Sequence, residues 1–197
     1  MEQKIPPFCL VFDTETAGLA RSWHAPLSDS DNWPRLVQLA WDLYNKEGEL
    51  IERKVYTIRP VGFTIPEEAT AVHGISQEEA LHVGVNLASV LREFLPRLHQ
   101  AQLLVAHNYD FDSKIVGAEL HRLSMNFDWE SASSYCTMKS ATEFCQIPSR
   151  FGYKWPTLVE LYQKLFNTGF PGAHNALNDV VACARCFFEL RQLGVLV

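Results

Sequence analysis

No apolar run in the chain approaches membrane-spanning length, and its first residues, Met1-Glu2-Gln3-Lys4-Ile5-Pro6-Pro7, hold no apolar core of a secretory signal. Those absences lead to the expectation of a soluble, cytoplasmic protein with no membrane role. Linkers rich in Pro, Gly or Ser are missing too, as are repeats and low-complexity tracts. With 197 residues and 47% hydrophobic content the chain can bury one sizeable core and has little room for a second, so residues 1–197 are read as a single domain. Positive charge is scarce. Against 23 Asp and Glu stand 17 Lys and Arg, a formal net charge of −6 that argues against a broad basic face coating nucleic acid. An enzyme that grips a strand end is compatible with that charge, because cations bound to committed acids invert the local field. The five cysteines are an odd count in a chain without an export signal, so reduced thiols are expected. Cys183 and Cys186 form a Cys-x-x-Cys string, but it lies in an apolar helical pattern and no second Cys or His pair has zinc-site spacing.

Carboxylates, by contrast, are placed with purpose. Asp13-Thr14-Glu15 follows the apolar run Cys9-Leu10-Val11-Phe12; His107-Asn108-Tyr109-Asp110-Phe111-Asp112 follows Leu103-Leu104-Val105-Ala106; His174-Asn175-Ala176-Leu177-Asn178-Asp179 opens an apolar C-terminal segment. Each cluster falls at the end of a strand-like stretch or the start of a helix-like one, where open α/β sheets place their sites. Residues two apart on a strand share a face, so Asp13 and Glu15 project together and Thr14 points away. Side-by-side carboxylates repel and raise a pKa, which a hard dication relieves; a pair of Mg²⁺ or Mn²⁺ ions suits such a group. His174 and Asp179, five apart, would lie about 140° from each other on one helix. Pro171-Gly172-Ala173 therefore reads as a loop that carries His174, with Asp179 in the first turns of the helix.

The pattern predicts strands at residues 8–13, 35–44, 49–59 and 102–106, with a short one at 135–136. Asn45-Lys46-Glu47-Gly48 supplies turn chemistry for a hairpin between the second and third. Helical spacing appears over 86–95, 111–123, 138–144 and 176–192, and Thr157-Leu158-Val159-Glu160 reads as a capping box. Three early strands followed by alternating helices and strands give an α/β fold with a mixed sheet of about five strands.

The motif set resembles the DnaQ-like DEDDh family of 3′–5′ exonucleases over nearly the whole chain. Asp13 and Glu15 match the first motif; Asp112, within His107-Asn108 and Phe111-Asp112, matches the second; His174, Ala176 and Asp179 match the third, His-x-Ala-x-x-Asp; Val72-His73-Gly74-Ile75 lies between the first two in the expected order. The resemblance implies a ribonuclease H-like fold flanked by helices and a metal-dependent exonuclease that releases nucleoside 5′-monophosphates. By the same resemblance Asp13, Glu15, Asp112 and Asp179 hold two Mg²⁺ or Mn²⁺ ions, and His174 is the general base. Its register selects Asp112 over Asp110, leaving Asp110 as a helix cap. Thr14, Thr16, Gly18, Leu19, Val72, His73 and Phe111 are implied to line the pocket of the terminal nucleotide. The plainer reading makes Phe111 a core residue and lets His73 merely decorate a short helix that ends at Gly74. Cys136 stands where many members of the family carry Asp, a departure outside the catalytic set.

The implied substrate is the 3′ end of a single strand, with DNA preferred. The motif set itself does not choose the sugar, so an exoribonuclease or oligoribonuclease is the neighbouring reading. A non-catalytic subunit associated with a DNA polymerase is the more distant one, and the intact acids and His174 count against it. Two segments are less typical of the family. Residues 20–34 form a long connection with Trp23, His24 and Trp33, and residues 147–156 mix Arg150 and Lys154 with Phe151, Tyr153 and Trp155. Each is read either as an ordered loop packing its aromatics or as a contact for a single strand.

Overall fold

The computed structural model describes residues 7–195. Its framework is a five-stranded sheet of order β3-β2-β1-β4-β5, built from β1 (Cys9–Thr16), β2 (Leu36–Tyr44), β3 (Leu50–Thr57), β4 (Leu103–Ala106) and β5 (Ser134–Cys136). Pairing is antiparallel from β1 through β2 to β3 and parallel from β1 through β4 to β5. The sheet is mixed, as the order of elements predicts. Asn45 closes the β2–β3 hairpin by accepting the Glu47 and Glu49 backbone N–H groups at 3.1 and 2.8 Å, while Gly48 takes φ 84.

Both faces of β1 are covered, which is why its first residues read as an unbroken apolar run. Leu10 and Phe12 face α3 (Leu87–Gln100) and α4 (Tyr109–Arg122), with the Phe12 ring 5.7 Å from Phe94 and 6.0 Å from Tyr109. Cys9 and Val11 face α8 (Ala176–Gln192) through Val180, Cys183, Ala184 and Phe187. All five cysteines are free thiols, and Cys183 and Cys186 are buried on α8. Among the described residues no helix is long and apolar enough to cross a membrane.

Several elements depart from the sequence expectations. β1 continues past residue 13 to Thr16 because its pairing with β2 persists there, so Asp13 and Glu15 lie within the strand. Helix α1 (Glu67–His73), which only the plainer reading of His73 contains, ends at Gly74 in the left-handed conformation. The next helix, α2 (Gln77–Val83), was not anticipated, although Ser76 caps it by accepting the Glu79 N–H at 3.0 Å. In place of one helix over 138–144 stand two short turns, α5 (Thr137–Ser140) and α6 (Thr142–Cys145), interrupted at Ala141 with ψ near 2°. Residues 147–156 contain a hairpin of β6 (Pro148–Ser149) and β7 (Gly152–Tyr153), after which the Thr157–Glu160 capping box opens α7 (Leu158–Phe166).

The long connection 20–34 is bound to α4. Trp23 packs on Trp33 and Phe111 with ring centroids 6.1 and 5.8 Å apart, and Lys114 and Arg122 donate to its carbonyls at Trp23, Ser30 and Trp33. Beneath it the fully buried Glu119 accepts from Arg35 Nε at 2.8 Å and the Leu36 N–H at 3.0 Å, and pairs with Arg122. Removing one partner of such a buried pair costs about 3–5 kcal/mol, so this clamp fixes α4 against β2.

Candidate active site

At its C-terminal end β1 delivers side chains to both of its faces at once. Asp13 and Glu15 continue the side of Val11, toward α8, and Asp179 in the first turn of α8 joins them. Carboxylate oxygens of these three residues lie within 4.8 Å of one another. Asp112 comes from α4, on the opposite side of the sheet. There it meets Thr14, whose backbone N–H and hydroxyl donate to Asp112 Oδ1 at 3.0 and 2.7 Å. The strand alternation that turns Thr14 away from its neighbours thus gives it to the fourth carboxylate. All four acids and His174 line one cavity of about 500 Å³, with Asp112 outside the tight group of three.

Three contacts set the start of α8. Asn175 caps it through the Asn178 N–H, the Ala176 N–H donates to Gln38 Oε1 at 3.0 Å, and the His174 N–H donates to Asp179 Oδ2 at 3.0 Å. His174 therefore sits on the loop before the helix, as the spacing predicts, in the left-handed conformation with φ 67. Its ring is exposed. The other oxygen of Asp179, Oδ1, is buried without a hydrogen-bond partner.

Charge is concentrated where solvent is excluded. Burial, followed by repulsion from Asp112, Asp179 and Glu15, holds the Asp13 carboxyl well above its ordinary range. Glu15 is pushed up to about 7, first by burial and then by Asp179. Burial also raises Asp112, against the opposing pull of the Thr14 hydrogen bonds, and raises Asp179 against the His174 N–H. An all-oxygen donor set, mutual repulsion and an orphaned carboxylate oxygen fit a hard divalent cation.

Beside this cavity lies a second one of about 550 Å³, and the two share Thr14, Glu15 and Phe111. The seven residues implied to surround a terminal nucleotide, Thr14, Thr16, Gly18, Leu19, Val72, His73 and Phe111, all border it. Gly18, with φ 147, occupies a conformation that side chains disfavour, and its carbonyl accepts the Thr16 hydroxyl at 2.7 Å. Leu19 and Val72 are 79% and 57% exposed, unburied apolar surface at the edge of a cavity. His73 does not merely decorate α1. It is buried, and its Nδ1 accepts the Ile75 N–H at 3.1 Å. Phe111 both packs on Trp23 and lines the two cavities.

Asp110 is not a helix cap. The turn after β4 is tight, so α4 begins at Tyr109 with Asn108 at the cap position in a left-handed conformation, and no side chain caps it. Asp110 falls inside the first turn, about 200° around the helix from Asp112, where it pairs with Lys139. Among the residues not singled out from sequence, Gln38 positions α8, and Met138 joins Trp155 and Pro156, from the basic-aromatic segment 147–156, in a further wall of the acidic cavity. His107 ties that wall down. The Pro156 carbonyl can only accept, so His107 Nε2 donates to it at 3.1 Å and Nδ1 accepts from the Thr137 hydroxyl at 2.9 Å. Burial lowers the His107 pKa to about 4, against the pull of the Pro156 carbonyl. The signal for Gln38 is a polar residue inside the otherwise apolar start of β2, and for His107 a polar residue directly after the apolar β4.

Known proteins are similar to this chain in sequence or in fold. Human three-prime repair exonuclease 1 is 36% identical over 103 residues, which span 49% of this chain and 32% of that protein. A zinc-bound complex of E. coli exonuclease I with single-stranded DNA superposes with a TM-score of 0.73 at 20% identity, covering 94% of this chain and 40% of that one. Exonuclease I from Methylocaldum szegediense gives 0.73 at 19% identity, covering 93% of this chain and 40% of that one. This chain thus spans about a third to two-fifths of the length of these relatives. The shared architecture is the ribonuclease H-like fold. A family model described as an exonuclease of the RNase_T type matches residues 10–187, most of the chain, and the chain belongs to that exonuclease family.

Proposed function

We propose that the chain is a divalent-metal-dependent 3′–5′ exonuclease that hydrolyses the terminal phosphodiester of single-stranded DNA and releases nucleoside 5′-monophosphates. The observation that carries this reading is the group Asp13, Glu15 and Asp179, its oxygens within 4.8 Å of one another, where an acidic cavity joins an apolar one. DNA is favoured over RNA by the human relative, a repair exonuclease by name, and by the exonuclease I structure with bound single-stranded DNA.

Asp13, Glu15 and Asp179 would hold one Mg²⁺ or Mn²⁺ and Asp13 with Asp112 a second, supplying activation of water and charge neutralisation at the scissile phosphate and departing 3′ oxygen. His174 takes the proton of the attacking water on its ring. Because its backbone N–H is held by Asp179 Oδ2, the base is tied to the carboxylate group it serves. Leu19, Val72 and Phe111 give the terminal base an apolar enclosure that excludes water, and Thr14 keeps Asp112 in place at the junction. Release of mononucleotides from matched DNA and RNA strands, followed from either labelled end in Mg²⁺ and in excess EDTA, tests the reading. Stepwise loss from the 3′ end, faster on DNA and abolished by EDTA, is expected. Hydrolysis that persists in EDTA, or no hydrolysis of either strand in Mg²⁺, would overturn it.

A further inference from the structure

We propose that the β6–β7 hairpin is a stacking platform for the unpaired nucleotides upstream of the scissile bond, a role that rests on the exonuclease reading above. Its aromatic side chains stand out from the surface: Phe151 is 88% exposed, Trp155 58% and Tyr153 43%. Large rings left in water are unfavourable unless something covers them. The comparison with the other atypical segment is informative. Trp23 and Trp33 pack on each other and Trp23 on Phe111, whereas among the described residues no ring of the hairpin packs on another aromatic ring. Arg150 lies 5.3 Å over Phe151, and Lys139 lies 5.9 Å over Trp155.

The rings are held out by a braced frame. Lys154 N–H donates to the Ile147 carbonyl at 2.9 Å, Ser149 Oγ donates to the Gly152 carbonyl at 3.0 Å, and the Lys154 ammonium pairs with Glu160 at 2.6 Å. At the foot of the hairpin His107 holds the Pro156 carbonyl.

Position and charge name the occupant. Trp155 and Pro156 line the same cavity as Asp13, Asp112 and His174, so the platform is continuous with the acidic cleft. A strand whose last nucleotide fills the apolar cavity, with its scissile phosphate at the carboxylates, continues toward that wall. Residues 147–156 carry Arg150 and Lys154 and no acid, in a chain of net charge −6. Cations beside exposed rings suit a polynucleotide, and stacking on ring faces requires bases that are unpaired; the preference for sequence is weak.

The test compares wild type with the double variant Phe151→Ala/Tyr153→Ala, on (dT)12 and on a thymidine dinucleotide. Binding is read by fluorescence anisotropy in EDTA and hydrolysis in Mg²⁺. Loss of one base–aromatic stack weakens binding by about tenfold. The double variant removes two rings and should therefore bind (dT)12 about a hundredfold more weakly, and its ratio of kcat/KM for (dT)12 over the dinucleotide should fall by a similar factor. Equal losses on both substrates, or unchanged affinity for (dT)12, would overturn the platform. Unchanged affinity together with an altered sedimentation coefficient would assign the rings to a protein contact, which also overturns it. If wild type hydrolyses neither substrate the exonuclease reading falls, while the binding measurement still decides whether the hairpin holds a strand.

Discussion

Thr14 donates twice to one oxygen of Asp112, from its backbone at 3.0 Å and its hydroxyl at 2.7 Å, joining β1 to α4 across 98 residues of sequence. Both bonds favour the ionised carboxylate and work against the burial that raises its pKa. Thr14 thereby supports an acid of the proposed catalytic group as well as forming part of the wall of the apolar cavity. A hydrogen bond to a charged group contributes about 1.5–3 kcal/mol. Thr14→Val keeps the backbone bond and the shape of the side chain, so turnover should fall by roughly tenfold, the lower end of that range. Asp112→Asn should remove nearly all turnover. Equal damage from the two substitutions would show that Thr14 contacts substrate in some more direct way.

Asp110 offers the contrasting case on the same helix turn. Its carboxylate is exposed and pairs with Lys139, and exposed pairs contribute at most about 1 kcal/mol. Asp110→Asn should cost no more than that in urea unfolding and leave hydrolysis close to wild type. Steady-state kinetics on the purified variants decide the matter. Greater loss of activity from Asp110→Asn than from Asp112→Asn would mean that the wrong acid has been assigned to the site.

Much of this site can be read from the chain. Asp13 and Glu15 after an apolar strand, and Asp179 after a loop that carries His174, are local patterns, and local geometry decides them. Helix α8 spans the predicted residues for the same reason. What resisted reading depends on partners far apart. Gln38 supports a helix 138 residues away, and His107 holds a carbonyl 49 residues away. Periodicity says that such polar residues are enclosed and nothing about what they meet. The hairpin at 147–156 escaped because its strands are two residues each, too short to establish alternation. For Asp110 the cap reading failed through a shift of two residues in the start of α4, an ordinary error for helix boundaries.

His174 holds a left-handed backbone with φ 67, which Asn tolerates better than Ala. His174→Asn therefore separates the loss of the base from the loss of the loop. Turnover should drop by about 10² to 10⁴-fold, the usual range for a positioned general base. Mg²⁺ affinity, measured by calorimetry, should stay near wild type, because the proposed ligands are the carboxylates alone. A variant with wild-type turnover would make His174 a bystander. Loss of Mg²⁺ binding would instead make it a ligand.

Protons and metal ions should compete for the same carboxylates, and stability reports the competition. For Glu15 burial and the charge of Asp179 raise the folded-state pKa from 4.5 to about 7. A raised folded pKa contributes stability that is complete below the unfolded value and is lost as pH rises through the folded one. In EDTA the Glu15 contribution should thus fade between about pH 4.5 and 7, by on the order of 3 kcal/mol at about 1.4 kcal/mol per pKa unit. His107 acts in the opposite sense. Its folded pKa lies near 4 against 6.5, so the unfolded chain takes up the proton first and stability declines as pH falls through that window. Comparing wild type with Glu15→Gln cancels the His107 contribution, which both proteins share. The variant should gain on wild type as pH rises, and thermal melts in EDTA at about pH 5 and about pH 8 measure the difference. Added Mg²⁺ should raise the wild-type Tm more at the higher pH, where the acids have lost the protons that shield them, and the variant should lose part of that gain. A Tm difference that stays constant with pH, together with pH-independent stabilisation by Mg²⁺, would show that these carboxylates are already relieved of their mutual repulsion without a cation.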